Sequence, residues 1–125
     1  MKVAWLHTGA DGKSHFKDLL VPVEKDRESM RSALFAGTGA AFAEASGGGP
    51  ADFHNAPRRQ WVVVLTGHME VDIGDGVVRR FGPGEIFLAD DLTGRGHAIR
   101  PQETPRSIMT VPLSADVDVS RWEPA

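Results

Sequence analysis

Glycine divides the middle of the chain into runs too short for helices. RQWVVVLTG (59–67), HMEVDI (68–73), VVRRF (77–81) and EIFLA (85–89) are separated by Gly67, GDG (74–76) and GPGE (82–85). The first run is rich in β-branched and aromatic residues, and the second alternates apolar with polar, as a half-buried strand does. A helix needs about ten or more residues of 3.6-residue periodicity, and none of these runs supplies it. GDG offers positive-φ positions for a tight hairpin turn into VVRRF. Gly67 is expected to turn RQWVVVLTG back on HMEVDI as a hairpin.

The same punctuation extends to both ends. KVAWLHT (2–8), HFKDLLVPV (15–23) and GTGAAFAEA (37–45) precede the central runs, and HAIR (97–100) and RSIMTVPL (106–113) follow them. Roughly eight to ten short strands at regular spacing predict an all-β sandwich or barrel. VEKDRESMRSALF (23–35) does not repeat its apolar residues at helical spacing and is expected to be mostly loop. SGGGPAD (46–52) reads as a flexible connector, and RPQETPR (100–106) as a polar, proline-flanked connection.

A chain of 125 residues fits one domain, and at that size roughly two-thirds of the unfolded surface is buried on folding. The division expected is N-terminal strands and loops over 1–50, a barrel core over 54–113 and a tail over 114–125. A formal net charge of −3 disfavours a nucleic-acid partner. The absence of cysteine excludes disulfides and thiolate ligands and suits a reducing compartment. No apolar window approaches the ~18 residues of a membrane span, and the N-terminus lacks a signal-peptide core, so a cytoplasmic location is expected.

Strand parity identifies candidate site residues. Successive side chains alternate across a sheet, so His54, Ala56, Arg58, Gln60, Val62 and Val64 share a face if HNAPRRQWVVVLTG is extended throughout. Pro57 interrupts the alternation, which is therefore firmest from Arg58 onward. Val62 and Val64 mark that face as the interior one. Trp61 has the outward parity and is expected to pack under an N-terminal strand or in a dimer interface. Arg58 and Arg59 have opposite parity: one at the mouth is suited to gripping a carboxylate, or to a salt bridge with Asp90 or Asp91. The two aspartates either cap the DDLTG turn, replace a missing ligand, or orient a nearby imidazole. His7, His15 and His68 read as surface or strand residues, and Trp122 as an anchor for the acidic tail.

Two stretches resemble motifs of the cupin superfamily. In the first, His54 stands six residues before Gln60, which stands seven before Gly67; in the second, FGPGEIFLADDLTGRGH (81–97), a proline–glycine–acid turn opens a strand and a histidine closes the following loop. The resemblance implies a single-domain cupin β-barrel, a double-stranded β-helix or jelly roll. It also implies a divalent metal (Mn, Fe, Ni or Zn) held by His54, Gln60 and His97. The second histidine position of the first motif holds Ala56, which leaves three neutral ligands and no carboxylate.

Two functions follow from the resemblance. One is a small-molecule enzyme of lyase, isomerase or dioxygenase class, with His97 or Asp90 moving a proton and the metal polarising substrate. The other is a metal-free module that binds a small, acidic ligand through Arg58 and His54 without turnover. A homodimer is expected in either case, because an edge strand of the N-terminal third needs covering.

Overall fold

The computed structural model describes residues 1–47 and 52–125. The expected connector at 46–52 therefore falls largely outside the described residues.

Eleven strands are present among the described residues: β1 (Lys2–Thr8), β2 (Ser14–Leu20), β3 (Glu24–Asp26), β4 (Ser29–Arg31), β5 (Ala41–Gly47), β6 (Gln60–Thr66), β7 (Met69–Gly74), β8 (Val77–Phe81), β9 (Ile86–Asp90), β10 (Ala98–Ile99) and β11 (Gln102–Pro112). The only helical element among them is a 3-10 turn at Val119–Arg121. Six strands form a sheet in the order β2-β1-β9-β6-β11-β5, three form a second in the order β10-β7-β8, and β3 and β4 form a separate hairpin. The protein is all-β, as the short glycine-bounded runs require.

Alternation along the strands gives the large sheet two apolar faces. Ala4, Leu6, Val62, Val64, Phe87 and Ala89 on one face meet Met69, Val71, Ile73 and Phe81 of the small sheet. Val64 and Val71 are fully buried there, each contributing about 1.5–3 kcal/mol relative to exposure. On the other face Val3, Leu19, Leu88 and Leu113 are covered by the C-terminal tail through Val119, Val117 and Trp122. Trp122 stacks on Trp61 at 6.3 Å and meets Phe35, tilted, at 5.4 Å, and the tail backbone bonds to β2 through Leu20 N–H to the Glu123 carbonyl at 2.8 Å. Trp61 thus packs under the chain's own tail, and Trp122 is the anchor its position suggested.

Three local expectations are corrected. β6 and β7 do not form a hairpin. β6 pairs with β9 and β11, whereas β7 pairs with β8 and β10, so the chain crosses at Gly67 from one sheet to the other. Gly67 has φ +72°, and a Cβ there would come within 2.5 Å of the Pro105 carbonyl oxygen. The glycine permits a close crossing and not a two-residue turn. Second, residues 24–31 are not loop: β3 and β4 pair antiparallel around Arg27, whose φ is +58°. Third, most of the proline-flanked connection is the start of β11, which carries a register shift between Gln102 and Arg106. A bulge lets proline sit in a strand without a ladder bond. The GDG turn is as expected, with Asp75 and Gly76 at φ +55° and +80° between paired β7 and β8.

Candidate functional site

Two segments distant in sequence meet at one end of the sandwich. The backbones of His54 and His97 exchange hydrogen bonds, His54 N–H to the His97 carbonyl at 2.8 Å and the reverse at 2.9 Å. Gly96 makes this approach possible. Its φ is +79°, and a Cβ on it would run into the His54 carbonyl. Ala56 N–H adds a bond to the Asp91 carbonyl at 3.1 Å, which draws the segment before β6 onto the end of β9. The two imidazoles come to rest with ring centroids 4.8 Å apart, tilted by 55°.

The rings differ in their surroundings. His97 is 5% exposed, and its Nδ1–H donates to Asp91 Oδ2 at 2.7 Å. Asp91 is 0% exposed, and the same Oδ2 accepts a second bond from Ser14 Oγ at 2.7 Å. Its other oxygen, Oδ1, has no hydrogen-bond partner among the described residues. An ionised carboxylate only accepts, so His97 carries its proton on Nδ1 and presents the Nε2 lone pair. His54 is exposed, and its Nδ1–H donates to the Asp52 carbonyl at 3.1 Å, which also leaves Nε2 as the acceptor.

The other expected site residues fall elsewhere. Gln60 is half-buried at the start of β6, opposite Ala89 and Pro112, and makes no hydrogen bond to either imidazole. Arg58 is exposed at the bend after Pro57. Arg59 turns to the tail side, donating to the Ser114 and Val117 carbonyls at 2.9 and 2.6 Å and pairing with Asp90 Oδ1 at 3.2 Å. Asp90 Oδ2 accepts from Trp5 Nε1 at 2.9 Å. Adjacent residues at the end of β9 face opposite ways, so Asp90 is committed to the tail side and is not brought to the imidazoles. Asp91 is the aspartate that orients His97, and no side-chain bond from either aspartate to the DDLTG backbone accompanies it. Ser14 was missed altogether: a serine opening a strand carries no signal of its own.

The remaining histidines are peripheral. His7 stacks on Trp5 at 4.1 Å, and burial holds its imidazole below the ordinary value, reinforced by His15 and opposed by a Thr8 backbone bond. His15 Nε2 lies 3.0 Å from Asp11 Oδ1; that bond from His15 is the main cause holding the Asp11 carboxyl below its usual range. His68 is near Glu70 at 4.0 Å, with its side chain 21% exposed and not in open solvent.

The donor chemistry at the paired imidazoles is two neutral nitrogens. Asp91 meets His97 through Nδ1, which leaves the Nε2 of that ring to any other partner. Among the described residues no group of three or more His, Asp or Glu side chains is arranged to hold a metal ion. No helix among them is long and apolar enough to cross a membrane. No protein-family model matches the chain, and no curated protein matches it closely enough to count as a relative.

Proposed function

We propose that the chain is a small cupin-type jelly roll that moves a proton on a small organic molecule, using His97 as the base and no resident metal. The observation that carries this reading is the Asp91–His97 pair: a fully buried carboxylate fixing one tautomer of a nearly buried imidazole. A carboxylate on Nδ1 holds the imidazole in one tautomer and orientation, with Nε2 left to accept a proton. His54, 4.8 Å away and open to solvent, is placed to return or relay that proton. A divalent ion at two neutral imidazoles would gain no charge compensation, which favours the metal-free form. The reaction class this implies is isomerisation or elimination at a carbon made acidic by a neighbouring carbonyl.

Such a base exchanges its substrate's acidic C–H with solvent even when no net turnover occurs. Incubating the protein in D2O with a panel of small keto acids and hydroxy ketones, followed by proton NMR, is expected to show deuterium incorporation with one or more of them. His97→Gln should abolish it, and Asp91→Asn should slow it by about 10²–10⁴. Chelator should leave it unchanged. Tight stoichiometric binding of an added divalent ion, with exchange dependent on it, would overturn the metal-free reading.

A further inference from the structure

The loop that delivers His97 sets one large side chain between two glycines, Gly94–Arg95–Gly96. Both glycines lie in the left-handed region, at φ +77° and +79°. A Cβ on Gly94 would run into the Gly12 carbonyl, and one on Gly96 into the His54 carbonyl. The backbone is therefore pressed on the β1–β2 turn at one glycine and on the His54 segment at the other. Arg95 N–H also donates to the Gly12 carbonyl, at 2.8 Å.

The Arg95 side chain reaches what this backbone leaves apart. Its Nη2 donates to the Ile73 carbonyl at 2.6 Å and lies 3.3 Å from Asp75 Oδ2. The guanidinium rests on the bare backbone of Gly74, where a Cβ would collide with it. Its Cζ stands 5.9 Å from the centre of the Phe53 ring, next to His54 in the chain. On the other side of His54, Asn55 Nδ2 donates to the Gly94 carbonyl at 3.0 Å. A guanidinium can donate in its plane while stacking on a ring through its face, which a lysine ammonium does not do.

We infer that Arg95 is a positioning residue for His54: anchored at the end of β7, it holds Phe53 and so fixes how far the exposed imidazole stands from His97. His97 needs no such hold, because its ring is buried against Asp91. The His54 ring is exposed, and among the described residues it hydrogen-bonds only to the Asp52 carbonyl. The consequence for catalysis rests on the proton-transfer reading given above.

The test is Arg95→Gln and Arg95→Lys, each read in two ways. The Asp75 pair is exposed and such pairs contribute little to stability, so both variants should keep the parent circular dichroism. Without substrate, ring centroids 4.8 Å apart put the His54 and His97 ring protons within range of a nuclear Overhauser contact. That contact is expected in the parent and should weaken in both variants, since lysine keeps the charge near Asp75 but loses the seat on Phe53. With substrate in D2O, Arg95→Gln should slow deuterium incorporation by about 10–100-fold, the scale of a small misplacement of a reacting group. Made on top of His54→Gln, the same change should slow it no further, because Arg95 acts through His54. A ring contact that survives Arg95→Gln, or an equal loss of rate with and without His54, would overturn the inference. A parent that exchanges no substrate, while its ring contact depends on Arg95, would remove the proton-transfer reading and leave the placement of His54 standing.

Discussion

Replacing Ser14 by alanine removes one oxygen from the most enclosed polar cluster among the described residues. Ser14 is 2% exposed, and its hydroxyl donates to Asp91 Oδ2 at 2.7 Å. In the variant, Asp91 would keep only the bond from His97, because Oδ1 has no partner already. A hydrogen bond to a charged group contributes about 1.5–3 kcal/mol. The alanine methyl leaves no orphaned donor, so the loss should fall inside that range. For a chain of this length, unfolding entropy near 2.1 cal/mol/K per residue converts it into a Tm lowered by roughly 6–11 °C. Urea denaturation is the direct assay, with the midpoint expected to fall while the slope m stays constant. A change under about 0.5 kcal/mol, the scale of ordinary surface substitutions, would refute the idea that Ser14 supports a buried charge. A double-mutant cycle with Asp91→Asn isolates the pair: the two losses should be strongly non-additive.

Gly96→Ala is expected to cost more than the usual glycine-to-alanine change, because it combines φ +79° with a collision against the His54 carbonyl. The check is loss of hydrogen-exchange protection at the His54 and His97 amides together with a lowered urea midpoint. Stability should also depend on pH through His7. Its folded-state value lies below the ordinary 6.5 because of burial, so the unfolded chain binds more protons in the window just below pH 6.5. Stability therefore falls as pH drops through that window. His7→Asn should flatten this part of the profile, measured as unfolding free energy against pH. Below pH 3.8 a further acid loss is expected as Asp11, Asp75 and Asp118 titrate, since hydrogen bonds in the folded state hold all three below that value.

Only part of the candidate site was legible in the sequence. His54 and His97, singled out from two separate stretches of the sequence, lie with their ring centroids 4.8 Å apart. Gln60 was assigned to the same centre from parity, yet it bonds to neither ring; Pro57 and Arg58 form a bend, so alternation does not carry across from His54 to β6. Asp90 and Asp91 look equivalent in DDLTG. Only the packing of β9 beside β1 separates them, sending one to Trp5 and Arg59 and the other to Ser14 and His97.

Local chemistry decided the strands themselves. β-branched runs prefer extended backbone, and Asp75–Gly76 accept positive φ wherever they are placed, so both are properties of a few adjacent residues. Which strands pair is another matter. The Gly67 crossing and the Ser14–Asp91 contact each join or separate segments through the packing of the whole chain. A hydrophobic pattern states that a strand has a buried face, but what lies against that face is chosen by competition among all the strands for the same core. That choice, made only on folding, brought the serine at residue 14 to the carboxylate of Asp91, and that carboxylate to the imidazole of His97.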